Sequence, residues 1–418
     1  MATYRLLVVN HAVEIGGAER VLLRFLARMD RRVFEPSLAC PQRGPLVEEA
    51  EALGVRIHLG YPTRRLLQVK RKSLGGKWWA IPAYPWDFAR TVARLSLLMR
   101  KEGYDLVLTN SAKADIYGSL AGWLARKPVV WRMHDIVDRR AFSRLNLFLF
   151  RFFATFFAAR VLAVSEASRR ALIALGVAEE KVAALHNGVE VARIPGARRE
   201  EIRREWGIPP GAPLAGMVGR LVGWKGPEVF LAAAAEVSRI LPEARFLLVG
   251  DAVFGERGYL DDLRETALRM GLGDRAVFTG FREDALEIMS SLDLLVHASL
   301  LPDPLPTVLL EAMSLGLPVV AADGGGVREI VEEGMTGLVV PPGDVQALAQ
   351  AVAWLLSRPR EAREMGEAGR KRAQVRFDLA AKCGEMEREL RAVLERRPPR
   401  FARSRPVAEK ARRRAVGK

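Results

Sequence analysis

The sequence predicts an α/β protein made of two parallel-sheet domains, and three observations predict it. Short apolar strand patterns alternate with helix-period stretches along most of the chain. That alternation runs twice, with the polar stretch Gly188 to Arg204 between the two runs. Each run opens on a strand that ends in a glycine-bearing turn ahead of a helix, at Gly16-Gly17 and again at Gly219. A chain of 418 residues also has the volume for two or three real cores.

In the first run, strands are expected near 4–10, 35–40, 55–59, 104–109, 128–133 and 161–164. Helical periodicity falls near 17–29, 45–53, 86–102, 114–126 and 142–159. In the second, strands near 213–219, 244–250, 275–279, 293–298, 317–322 and 337–340 alternate with helices. Such alternation implies parallel sheets joined by right-handed crossovers. Two of these units read as two Rossmann-like domains facing each other. Ligands then bind beyond the carboxyl ends of the strands, in the cleft between domains. The expected division is 1–190, 191–377, a helix at 378–396 and a tail at 397–418.

Composition narrows the setting. Half the residues are hydrophobic and few are aromatic, as in Leu-, Val- and Ala-rich α/β proteins. Cys40 and Cys383 lie far apart without metal-ligand spacing, which predicts reduced thiols. The first strand, Tyr4 to Asn10, starts with no signal peptide ahead of it, and no apolar run reaches spanning length. A cytoplasmic location is expected. The Phe-rich stretch Phe142 to Phe157 reads as a buried crossover helix, with interfacial exposure of part of it left open.

The net charge of +16 is uneven. Residues 397–418 hold nine Lys or Arg against one Glu, and Pro398, Pro399 and Pro406 predict a disordered basic tail. A second basic stretch, Thr63 to Lys72, runs on to Trp78-Trp79. It suits the headgroup region of an anionic membrane, a solvated loop, or nucleic acid. No nucleic-acid-binding signature accompanies it, so nucleic acid is not the expected partner.

Pro302-Asp303-Pro304-Leu305-Pro306-Thr307-Val308-Leu309-Leu310-Glu311 carries the most chemistry. It reads as a loop entering a helix, with Asp303 in the loop and Glu311 in the second turn. Leu305, Thr307 and Val308 bring backbone N–H groups to a helix start, which attracts phosphate. A carboxylate one turn further in can accept from sugar hydroxyls, so the combination suits a nucleotide-sugar. Arg220 and Lys225, in Gly219 to Gly226, are cations after the second run's first strand and suit a diphosphate. Gly16 and Gly17 let backbone approach a ligand, although the full dinucleotide fingerprint is absent. His134 follows a strand's carboxyl end, where polar side chains tend to face a ligand. His11 could lie near an acceptor, His58 reads as structural, and His297 ends a buried strand. His186-Asn187-Gly188 suits a turn or a ligand contact after the first domain's last strand. Ser165 reads as a helix cap.

The run from Asp303 through Glu311, Gly316-Leu317-Pro318, Gly324-Gly325-Gly326 and Gly334 to Asp344 closely resembles the C-terminal half of the retaining GT-B glycosyltransferases of family 4. Their pattern is Glu, seven residues, Glu; here Asp303 replaces the first Glu, and a subgroup with Asp-Pro-Leu-Pro shares this. The resemblance spans roughly 5 to 390. It implies a GT-B fold whose first domain faces the acceptor and whose last helix crosses back to that domain. It implies that Glu311 binds the donor ribose, Asp303 a sugar hydroxyl, and His134 the donor sugar. Arg220 and Lys225 would neutralise the departing diphosphate, so neither metal nor cofactor is expected. Gly250, Asp251, Phe281 and Arg282 fall where the family holds the nucleotide base. The implied activity is retaining hexosyl transfer from a UDP- or GDP-linked donor to a glycan or lipid-linked acceptor, in envelope or extracellular polysaccharide or glycolipid synthesis. A nucleotide-sugar epimerase, a phosphorylase and a non-catalytic binding subunit are the rival readings.

Overall fold

The computed structural model describes residues 3–62, 83–139, 142–191, 196–252 and 258–396. The basic stretch with Trp78-Trp79 and the tail at 397–418 lie outside the described residues. In chain order the first domain has β1 (Tyr4–Val9), α1 (Gly17–Arg28), β2 (Phe34–Cys40), α2 (Pro45–Ala52) and β3 (Arg56–Leu59). Then come α3 (Ala83–Lys101), β4 (Leu106–Thr109), α4 (Ala112–Ala125), β5 (Val129–Met133) and α5 (Arg144–Phe156). It ends with β6 (Arg160–Ala163), α6 (Glu166–Ala174) and β7 (Val182–Ala184). The second domain opens with α7 (Gly196–Glu205), β8 (Leu214–Val218), α8 (Pro227–Ile240), β9 (Arg245–Val249) and α9 (Tyr259–Arg269). It continues through β10 (Ala276–Gly280), α10 (Ala285–Ser290), β11 (Leu294–His297), α11 (Thr307–Ser314), β12 (Val319–Ala322) and α12 (Val327–Ile330). Last come β13 (Leu338–Val340), α13 (Val345–Leu356), α14 (Pro359–Arg376) and α15 (Leu379–Glu395).

Every strand pair is parallel. The first sheet has seven strands in the order β3-β2-β1-β4-β5-β6-β7, and the second has six in the order β10-β9-β8-β11-β12-β13. Leu6, Leu7, Val8 and Val9 of β1 are wholly buried, because helices cover both faces of such a sheet and its strands read as unbroken apolar runs. Strand order reverses between β1 and β4, and again between β8 and β11. In such sheets ligands bind beside the switch point at the carboxyl ends of the strands, and this rule points to where the site should lie.

The structure corrects three readings. The second half of the expected linker is not polar loop but α7, held to the second domain by buried Ile202 and by Arg203. The Arg203 guanidinium donates to the Ser291 and Ala212 carbonyls and to Asp293. Polar side chains hid a helix whose arginines, Arg199 and Arg203 among them, anchor it through carbonyls and Asp293. The strand ranges also stopped at 164, whereas β7 adds a three-residue edge that is too short to show a period. The Phe-rich helix is shorter than expected, because Ser143 caps it by accepting from Asn146 N at 3.3 Å.

Helix α15 returns to the first domain. Leu379, Cys383, Met386, Leu390 and Val393 join the core beneath β1, α1 and β4. Arg160 forks onto Glu389 at 2.8 and 3.2 Å, and Glu387 accepts from Asp30 N at 2.8 Å. The chain leaves the first domain beside this return: Val189 bridges Asp378, and a Cβ on Gly188 would sit 2.6 Å from Leu379 Cα. Both cysteines are free and share this core, and burial first of all raises their thiols, Cys40 to about 12 and Cys383 to about 11.

Leu390 is fully buried at this junction. Leu390→Ala is expected to cost about 2–5 kcal/mol in urea denaturation. A loss well below 1 kcal/mol would mean that the helix is not docked there.

Candidate functional site

Turns at the ends of three neighbouring strands build one side of the cleft. Gly219 N donates to Val249 O at 2.9 Å and Gly250 N to Gly280 O at 3.0 Å, so the turns after β8, β9 and β10 abut. Gly250 has φ 138°, and a Cβ there would fall 1.9 Å from the Gly219 carbonyl, so only glycine lets the two turns cross. Arg220 stands exposed on the first of them. The Asp251 carbonyl accepts from Leu221 N at 3.1 Å, which ties the second turn to the first. Phe281 is 68% exposed past the edge strand β10. The Arg282 side chain forks onto Asp284 at 2.8 Å through Nε and Nη2.

Lys225 closes a single 3₁₀ turn, and Gly226 behind it lies against the Ala298 carbonyl. The Lys225 ammonium therefore meets the Asp303 carboxylate in a short ion pair. His297 Nε2 lies 3.4 Å from the same oxygen and 3.0 Å from Ser299 Oγ. Asp303 is 7% exposed. Burial would raise its carboxyl, but the Lys225 charge and the His297 hydrogen bond hold it well below the usual carboxylate range. Gly325, at φ 60°, admits no Cβ beside the Asp303 carbonyl, and Gly326 N donates to that carbonyl at 2.9 Å. The triple-glycine turn thus clasps the Asp303 backbone. The sequence brought Lys225 and Asp303 to one site but did not pair them, and it left His297 out.

Helix α11 starts at Thr307 after Pro306, with Val308 next and Leu305 buried beneath. The opening N–H groups of a helix lack intrahelical acceptors. Glu311 stands in the second turn, where Arg24 of α1 reaches it at 2.8 Å from the other domain. Arg24 was missed, since nothing in a helix's local pattern reports a partner 287 residues away.

The first domain faces this helix start. Glu19 accepts from Gly16 N at 3.1 Å and from Asn10 Nδ2 at 3.3 Å, which shapes the glycine turn. A Cβ on Gly17 would lie 3.8 Å from Thr307 Oγ1, so the two domains approach at this turn. His134 Nε2 lies 3.0 Å from Asn110 Oδ1. Burial, with Arg132 second, pushes its imidazole down to about 3, so it is neutral at physiological pH. Asn10 Oδ1, Asn110 Nδ2 and Ser111 Oγ, at the ends of β1 and β4, are buried without partners. Such atoms call for a ligand or water. Glu329 joins the domains: it accepts from Glu166 N and Ala167 N at the start of α6 at 2.8 and 2.9 Å, and lies 2.7 Å from His186 Nε2. His186 thus has a protein partner, and Ser165 caps α6 through Ser168 N at 3.1 Å. His58 bonds Tyr104 at 2.6 Å, away from the cleft. Among the described residues, no three His, Cys, Asp or Glu side chains group to hold a metal.

Known proteins share this architecture. Residues 15–193 match the family described as Glycosyltransferase Family 4, and residues 198–372 match Glycosyl transferases group 1. The chain is 34% identical over 186 residues to the alpha-D-kanosaminyltransferase of Streptomyces kanamyceticus, across 44% of this chain and 47% of that one. That match spans about half the relative's length. It is 29% identical over 358 residues to a GDP-mannose-dependent alpha-mannosyltransferase of Mycobacterium tuberculosis, across 82% and 85% of the two chains. The Anabaena HepE structure with UDP-glucose superposes with a TM-score of 0.80 at 28% identity, covering 93% of this chain and 99% of that one. These neighbours share the GT-B fold.

The Lys225–Asp303 pair makes a pH-dependent prediction. Asp303's folded value lies below its unfolded one, near 3.9. The pair's contribution is therefore present above about pH 4 and lost as pH falls through the folded value. Lys225→Met leaves burial dominant and raises the carboxyl, so the variant's deficit of about 3–5 kcal/mol at pH 7 should narrow at pH 5. A deficit equal at both pH values in urea melts would mean that Lys225 does not hold Asp303 charged.

Proposed function

We propose that this chain, which belongs to the group 1, family 4 glycosyltransferases, moves a hexosyl group from a UDP- or GDP-linked donor to an acceptor hydroxyl with retention of configuration. The observation that carries the reading is the meeting across the cleft of the α11 start and Glu311 with the Gly16-Gly17 turn and Arg24. The named ligands of the relatives support the donor class: UDP-glucose in HepE, GDP-mannose in the mycobacterial mannosyltransferase. A glycan or lipid-linked acceptor of envelope or extracellular polysaccharide synthesis, met on the cytoplasmic side, fits the buried unpartnered amide and hydroxyl atoms at the ends of β1 and β4.

Each residue has a role that its surroundings allow. Glu311 takes the ribose hydroxyls in place of Arg24. The diphosphate lies at the start of α11, met by the N–H groups near Thr307 and Val308 and by exposed Arg220. Lys225 turns from Asp303 toward the phosphate, which frees the Asp303 carboxylate for a sugar hydroxyl. With Lys225 turned, cations and helix N–H groups around the leaving group stabilise charge as it develops, a role that needs no metal. His134 is neutral, and donation from Nε2–H to Asn110 Oδ1 leaves Nδ1 to accept from the sugar. The turns at Gly219, Gly250 and Asp251, with Phe281 and the Arg282 backbone, wall the base.

Glu311→Gln should weaken donor and free nucleoside diphosphate alike, by about 1.5–3 kcal/mol in calorimetry. Asp303→Asn should spare the free diphosphate and weaken the sugar-bearing donor. Equal losses for both ligands in both variants would overturn this assignment. Product formation measured with EDTA should match that without it, and a strict need for Mg²⁺ or Mn²⁺ would place the neutralising charge elsewhere.

A further inference from the structure

Away from the cleft, the helix layer over one face of the first sheet carries a surface that the transfer chemistry does not use. Helices α3, α4 and α5 each bury an inner stripe in the same core. Helix α5 also has an outer apolar stripe. Leu145, Phe148, Phe152 and Phe156 recur at helical spacing and are 40, 61, 39 and 67% exposed. Phe148 stacks on Phe152 with ring centres 6.2 Å apart, and Phe156 leans on Phe152 at 5.1 Å, so the ladder is preformed. Trp123 of α4, also exposed, stands edge-on to Phe157 at 5.8 Å. A groove of about 710 Å³ opens beside these rings and is lined as well by Arg100, Arg126, Lys127 and Arg396. Single exposed hydrophobics need no explanation, but a contiguous ladder of rings marks an interaction surface.

Charge says what covers it. Arg94, Arg100, Arg126, Arg144 and Arg151 are exposed on or beside the three helices. Their only acidic residues, Asp87 and Asp115, are 7% and 0% exposed. Exposed rings with cations on the same and neighbouring helices, and no exposed carboxylate on these helices, match a lipid surface with anionic headgroups. The rings enter the boundary between headgroups and acyl chains while the guanidinium groups stay at the phosphates. We propose that the outer face of α3, α4 and α5 docks on an anionic phospholipid membrane. The chain's own basic tail is a poor occupant, since it carries nine Lys or Arg against one Glu. A second copy would set cations against cations. Nucleic acid is disfavoured because the rings stack on one another and Leu97 and Leu145 offer a base nothing to stack on. β5 ends at Met133 and α5 follows it, so the ladder starts at the cleft end of the sheet. It runs to Phe156 at the opposite end, where Arg100, Arg126 and Lys127 line the groove just ahead of β4, β5 and β6. Docking would therefore lay the length of α5 along the lipid.

The test is co-sedimentation with vesicles of phosphatidylcholine alone and with vesicles that also contain phosphatidylglycerol. The parent should bind only the second kind, and less at high salt. Joint replacement Phe148→Ser, Phe152→Ser and Phe156→Ser should lower that affinity at least about tenfold. Arg144→Glu with Arg151→Glu should abolish the preference for phosphatidylglycerol. Both variants should melt cooperatively near the parent Tm, and if the serine variant does not fold, the charge reversal carries the test. Vesicle binding is read without turnover, so it stands or falls apart from the transferase reading. Parent protein that ignores phosphatidylglycerol vesicles at low salt, or folded variants that bind as it does, would overturn the proposal. A parent dimer that the serine variant converts to monomer in light scattering would assign the ladder to a second copy instead.

Discussion

Where Gly188 and Val189 leave the first domain they lie against Asp378 and Leu379, where the chain returns to it. The rest of the cleft depends on this double crossing. It lets α15 fill the core beneath β1 while the second sheet hangs from two adjacent strands of chain. Glu329 adds a second tie by accepting from the first N–H groups of α6, where a helix end favours negative charge. With these joints set, the carboxyl ends of both sheets face one space. Gly17 then comes within van der Waals reach of Thr307.

The carboxylates of the cleft are each held by a cation. Glu311 is held by Arg24 and Asp303 by Lys225, with a hydrogen bond from His297, whose imidazole burial disfavours as a cation. A buried carboxylate without a partner would be costly, so each is paired with a cation. The Glu311 pair is partly exposed and so is worth little to stability. The Asp303 pair is nearly dry, and breaking it one-sidedly is expensive. One acid is thereby easy to free, while freeing the other costs more because it leaves a nearly dry charge unpaired.

Helix α5 shows how one local pattern can serve two environments. Its Phe residues recur so densely that both faces are apolar. Phe150 and Phe153 enter the core while Phe148, Phe152 and Phe156 remain outside. Periodicity identifies such a helix but does not say which of its faces meets the sheet. The stretch reads as a buried helix with exposure of part of it left open, and burial holds for one face while the other is exposed.

Sequence alone determined the two domains, nearly every strand and the identity of the α11 loop. Parallel strands covered on both faces must be continuous apolar runs, and glycine and proline punctuate the turns between them. It also singled out Asp303, Glu311, Lys225 and His134, because their positions after strands and at a helix start carry local physical meaning. Only the tertiary structure decided their partners. Arg24, Asn110, His297 and Glu329 are ordinary residues in their own segments, and Arg24 lies 287 positions from the carboxylate it holds. Charge pairing acts through space over a few ångströms, whereas a sequence pattern reports only neighbours within a turn of helix or along a strand.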